Sequence, residues 1–246
     1  MSDIAGDAAA AAFQFGAMAT TGTSLDPWVS YGAILAPVVA DVLERALSPR
    51  QRSRVQRLGS LADKAVIARI NGGEAPRADG FFEREPSGRN AGAEAIEAVL
   101  NLARDSYEEL KLPFIANLLA AITFDTGLTS NVANRLIVLA EQLTWTQYVL
   151  LAAIERRESI PVPDVMIGGA DRTSWEGWAV HRQLVELRER DLIAAHNAKT
   201  AVGVEYTNWT LTDQQLVRGG RLLHNVLRLG DIGPLDVASV WRSAEL

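Results

Sequence analysis

The chain has 246 residues, 48% hydrophobic and 22% charged, with a net charge of −6 and no cysteine. These figures exclude disulfides, thiolate catalysis and cysteine-based zinc or iron–sulfur centres. They also argue against non-specific gripping of a polyanion, because proteins that neutralise phosphates gather Lys and Arg.

Residues 1–27 are rich in Ala, Gly and Thr and are expected to be poorly ordered. They carry Asp3 and Asp7 and no Lys or Arg, which does not fit the basic start of a secretory signal. With the lack of cysteine, this predicts a cytoplasmic protein. Residues 28–71 read as an N-terminal helical region. Its most apolar window, 28–40, contains Gly32 and Pro37 and ends at Asp41. Crossing a bilayer takes about twenty residues, so a buried or interfacial segment is expected. Ile34, Leu35, Val38, Val39, Val42 and Leu43 recur at helical spacing within 28–47. Ser48-Pro49 predicts a capped helix start. That helix should run to about Ile70 on a stripe of Val55, Leu58, Leu61, Ala62, Ala65 and Ile67, stopped by Asn71-Gly72-Gly73.

Residues 72–92 hold five glycines and two prolines among alternating charges and read as a linker. Phe81-Phe82 interrupts that composition and is expected to dock on the chain's own surface. A helical bundle over 93–143 should follow. Its first helix, 93–110, carries Ile96, Val99, Leu100, Ala103 and Tyr107 on one face. A second begins near Pro113 with Phe114, Ile115, Leu118, Leu119 and Ile122, and ends at Phe124-Asp125-Thr126-Gly127. A third, capped by Ser130 or Asn131, carries Val132, Leu136, Leu139, Ala140 and Leu143.

Residues 144–246 change character. Thr144 can cap a helix over 145–157, and Ile160-Pro161-Val162-Pro163 must be extended. Ser174 can cap a helix over 175–191 with Trp178, Leu184 and Leu187 as its stripe. Strands at 192–194 and 204–209 should flank a polar turn containing Asn197, Lys199 and Gly203. Thr212 would cap a last helix carrying Leu216, Leu222, Leu223, Val226 and Leu227. The expected fold is therefore mainly α: an N-terminal helical region and a small helical bundle, followed by a winged-helix-like α+β module.

The run Leu184-Val185-Glu186-Leu187-Arg188-Glu189-Arg190-Asp191-Leu192-Ile193, followed by Trp209-Thr210-Leu211-Thr212, resembles the end of winged-helix domains. The resemblance covers 145–227. It departs at residues 161–169, where those domains place an extra helix and this chain has a poor helix former. A second stretch, Tyr107-Glu108-Glu109-Leu110-Lys111-Leu112-Pro113-Phe114-Ile115-Ala116-Asn117-Leu118-Leu119-Ala120-Ala121, resembles abortive-infection-alpha-like bacterial proteins and related helical families with a winged-helix-like end. The apolar Gly/Pro stretch and Pro49-Arg50-Gln51-Arg52 upstream are also similar. This resemblance implies a link to phage resistance and brings no catalytic residue.

Catalytic patterns are missing. The sequence has no phosphate-binding glycine loop and no G-x-S-x-G elbow. His181, His196 and His224 stand apart from one another, so no metal site is expected. Glu108-Glu109 and the pair Glu83 and Glu85 read as solvated faces. No cofactor, metal or small-molecule substrate is expected, and the protein reads as a non-enzyme.

Two sets of cations are candidates for contact. Arg50, Arg54 and Arg57 fall along one face of the helix that follows Ser48, opposite Val55, Leu58 and Leu61. They suit an anionic surface, or form the solvated side of an amphipathic helix. Arg182, Arg188 and Arg190 would lie on the exposed side of a recognition helix, joined by His181 and Gln183, with Lys199 on the wing. Residues 143–246 hold eleven basic and thirteen acidic side chains, and Glu176, Glu186 and Glu189 share that helix. That balance favours a protein partner over DNA. Trp175 and Trp178, three apart, are expected to pack in a core or an interface. The expected function is an interaction protein, tied to anti-phage defence by the resemblance, that binds a protein partner or forms a homo-oligomer. A winged-helix DNA-binding regulator is the alternative, and contact of residues 28–47 with a membrane surface is the weaker one.

Overall fold

The computed structural model describes residues 37–45, 47–159, 166–167, 175–195, 209–210 and 214–245. Expectations for residues 1–36, 161–163, Ser174, Lys199 and Thr212 lie outside the described residues. The chain divides into two compact units, Met1–Gln142 and Leu143–Leu246. Both are mainly helical, and the strands described form two short antiparallel ladders in the second.

The first unit contains α1 (37–44), α2 (Pro49–Asn71), α3 (Ala91–Asp105), α4 (Leu112–Phe124) and α5 (Ser130–Gln142). Local chemistry starts α2. The Gln51 amide donates to Ser48 Oγ at 3.3 Å, and the Ser48 amide donates to Gln51 Oε1 at 2.9 Å. This reciprocal cap satisfies two amides that the first helical turn leaves without partners. Pro49 at the first position costs nothing there. α4 is apolar on every side, and eleven of its thirteen residues are buried. A helix of that kind must be covered all round. α2 packs against it, and α3 joins α2, α4 and α5. The buried stripe of α2 is Val55, Leu58, Ala62 and Val66, so Val66, four residues after Ala62, replaces the expected Ile67.

Two expectations need correction in this unit. The helix after residue 93 stops at Asp105, not near 110, because Ser106 turns to extended backbone. Tyr107 therefore leaves the apolar face and is 82% exposed. The segment 72–90, linker-like in composition, packs within the unit. Pro76, Arg77 and Phe82 are buried there. The Arg77 amide donates to Thr123 O at 3.0 Å, and its guanidinium reaches Leu128 O at 2.9 Å. Phe82 lies over Gly92, where a side-chain Cβ would sit 2.1 Å from the ring.

Asp63 stands partly buried on α2, and desolvation pushes its carboxyl up to about 7. Between about pH 4 and 7 the folded protein holds this proton while the unfolded chain releases it, so stability falls as pH rises through that window. Asp63→Asn should raise the thermal midpoint at pH 8 by several degrees and leave it nearly unchanged at pH 4. Parallel pH profiles for the two proteins in differential scanning calorimetry would contradict this assignment.

The second unit is built on α6 (Trp145–Glu155), eight of whose eleven residues are buried. Thr144 and Gln147 form the same reciprocal cap as Ser48 and Gln51. α7 (Trp175–Glu189) and α9 (Pro234–Glu245) pack on α6 and on each other, and α8 (Arg218–Leu227) also contacts α6. Arg228 ends α8 in the left-handed region at φ 56°, and a short 3-10 turn, Leu229–Asp231, follows it. The strands are β1 (Met166–Ile167), β2 (Ile193–Ala195), β3 (Trp209–Thr210) and β4 (Gln214–Leu216). β1 pairs with β3, and β2 pairs with β4 with Ile193 opposite Leu216 and Ala195 opposite Gln214.

The expected strand at 204–209 lies outside the described residues except for Trp209. The strand after Leu192 pairs with Gln214–Leu216, and Leu216 belongs to a strand rather than to the last helix. Burial explains the difference: Gln214 and Leu216 are buried and Gln215 between them is less so, the period of a strand. The Val217 amide then donates to Leu192 O at 3.1 Å, extending the ladder by one bond before α8 starts at Arg218. α9 is a further helix beyond the last one expected from the sequence.

Candidate protein-contact surface

The cations predicted on α2 are largely engaged inside the first unit. Arg54 turns toward α3 and donates from Nη1 to Arg104 O at 3.0 Å and to Ser106 O, the last carbonyls of a helix end. Arg57 pairs with Glu109 at 3.3 Å, and Arg45 pairs with Asp41 and Glu97. Arg50 is exposed. The three arginines thus do not form one open cationic face. Lys111 is buried, donates to Glu141 O at 3.3 Å and lies 3.9 Å from Glu108; burial lowers its pKa. A groove of about 500 Å³ is walled by Pro37 and Val38, with Arg84, Asn90, Glu94 and Glu97 among its lining. Its charges face one another, since Arg89 grips Glu94 and Arg45 holds Glu97.

α7 carries the other predicted cations, and it is held through its middle. Val180, Leu184 and Leu187 are buried. Thr144 Oγ1 donates to Gln183 Oε1, and Gln147 Nε2 donates to Glu186 Oε2 at 3.0 Å. These bonds fix the rotation of α7 about its axis and so decide what it shows to solvent. Arg182 is exposed; Arg188 and Arg190 are half-buried, and Glu176 and Glu189 are exposed. Lys199 lies outside the described residues.

The exposed face is dominated by two rings, Trp175 and Trp178. Trp178 was expected on the buried stripe with Leu184 and Leu187, but it is 51% exposed, and Trp175 is 81% exposed. The helical period already carried the signal. Trp178 and Leu184 are six residues apart, roughly 120° apart around an α-helix, so they cannot share a narrow face. The two rings meet edge to face, with centroids 6.1 Å apart and planes at 85°. That is a favoured aromatic geometry, and it holds both side chains in place.

Among the described residues no group of three or more His, Asp or Glu is placed to hold a metal ion. No single described helix is long and apolar enough to cross a membrane. Comparison with protein-family models, curated proteins and solved structures finds no match to the chain.

Proposed function

We propose that the chain is a non-enzymatic interaction protein whose second unit makes protein–protein contacts through the face of α7 that carries Trp175 and Trp178. The observation behind this reading is the exposure of those two rings, packed edge to face. Tryptophan offers a large apolar area at small entropic cost and is enriched among the residues that dominate interface energies. The charges agree, because the face shows one exposed arginine, Arg182, against Glu176 and Glu189. A phosphate backbone is met by cations and repelled by such carboxylates. We extend the reading to anti-phage defence on the resemblance of residues 107–121 to abortive-infection-alpha-like proteins alone.

A second reading is a winged-helix DNA-binding regulator. The order α6, β1, α7, β2, β4, α8 favours it, as does the exposure of Arg182 on α7. Photo-crosslinking separates the two. A photoreactive phenylalanine analogue at position 178 of the full chain, expressed in its own host, is expected to give a discrete protein adduct. The same residue at exposed position 134 should not. Nucleic-acid adducts in place of the protein band would transfer support to the regulator, and no adduct would remove the contact assignment.

A further inference from the structure

Trp175, Trp178, Arg182 and Glu189 fall on one line of α7, at steps of three, four and seven residues, and all four are exposed. We infer that this stripe docks on the same stripe of a second copy of the chain, with the two α7 helices antiparallel about a two-fold axis beside Trp178. The inference rests on the protein-contact reading and names its partner.

The argument is self-complementarity. A closed two-fold contact requires a surface to offer both halves of each interaction. This stripe offers an aromatic pair and, one turn further on, a guanidinium. Trp175 and Arg182 are seven residues apart, about 10 Å along the helix, so an axis midway between them passes beside Trp178. In an antiparallel pair about that axis, Arg182 of each copy lies opposite Trp175 of the other. A cation over an indole face is a favourable contact and strengthens as water leaves. The two Trp178 rings meet near the axis, where dominant interface residues cluster. An acidic or a proline-rich partner would satisfy one half of the stripe; a second copy satisfies both. Closure about the axis also limits the assembly to a dimer.

Sedimentation velocity on the full chain tests this over a range of concentrations. A monomer–dimer equilibrium is expected, weakened at least tenfold by Trp178→Ala and at least fivefold by Arg182→Glu, with Arg182→Lys retaining part of it. Both positions are exposed, so unchanged thermal midpoints should accompany these losses. Because the chain has no cysteine, single substitutions report proximity directly. Ala179→Cys, next to the axis, should join two copies under mild oxidation, and Glu189→Cys, far from its own symmetry mate, should not. A chain that stays monomeric, or a dimer indifferent to Trp178→Ala and Arg182→Glu, overturns the second copy. If position 178 then still crosslinks to another protein, the contact reading stands without the dimer; if it crosslinks to no protein, both fall.

Discussion

Replacing Gly220 with alanine is expected to destabilise the second unit by about 3 kcal/mol or more, a large fraction of what a unit of this size usually has. A Cβ built there would lie 2.0 Å from Leu192 O and 3.0 Å from Leu192 C. Both are backbone atoms. That carbonyl also accepts the Val217 amide, so it cannot rotate away without giving up the bond that leads β4 into α8. Relief requires α8 to move off β2 and its buried Leu223, Val226 and Leu227 to lose packing. The neighbouring glycine supplies the control. A Cβ at Gly219 meets its nearest neighbour, Asp191 O, at 3.5 Å, an ordinary contact. Gly219→Ala should stabilise α8 by about 0.5–1 kcal/mol by reducing the freedom of the unfolded chain. Urea denaturation of the two variants should move in opposite directions. A midpoint for Gly220→Ala equal to that of the parent would show that α8 does not pack as described.

The features legible in the sequence are those decided within one or two turns. Ser48 and Thr144 announce their helices because a hydroxyl three residues before a glutamine makes both halves of a cap, and no distant residue is needed. α4 is legible for a related reason: a run of apolar residues broken only by Asn117 and Thr123 can only be buried. Pairings made across long stretches were not legible. β4 is three residues long, and its partner β2 lies some twenty residues upstream, so a helix pattern running through Leu216 looked equally good. Of the candidate contact residues, Arg182 was read correctly as exposed, because helical spacing alone places it opposite Leu184 and Leu187. The inward turn of Arg54 is not legible, since the Arg104 carbonyl that draws it belongs to α3, fifty residues away. For Trp178 composition and period disagree: tryptophan is usually well covered, but its angle on α7 points to solvent.

Arg77→Met is expected to cost about 3 kcal/mol, although the residue sits in a segment whose composition suggests nothing but a tether. Its side chain is only 2% exposed. Nη1 donates to Leu128 O at 2.9 Å and Ile122 O at 3.4 Å, carbonyls at and beyond the end of α4 that no helical amide reaches. Nε and Nη2 grip Asp79 at 2.8 and 2.5 Å, and the guanidinium lies 4.0 Å from the centre of the Phe81 ring. One planar fork thus ties the 72–90 segment to α4. Methionine would fill the space, yet it would leave those carbonyls without this donor and Asp79 without its cation. Arg77→Lys should recover less than half, because an ammonium cannot span carbonyls and carboxylate together. Arg89→Ala, which removes an exposed pair with Glu94, should cost little by comparison. The network also has a pH signature. Hydrogen bonds from Arg77 hold the Asp79 carboxyl below its ordinary value. Its contribution is therefore complete above about pH 4 and is lost as pH falls through the lowered value. The stability gap between the parent and Arg77→Met should accordingly narrow below pH 4. A gap that stays constant down to pH 2 in urea titrations would mean that the carboxylate plays no part. A gap near zero at pH 7 would mean that the segment is not anchored through Arg77 at all.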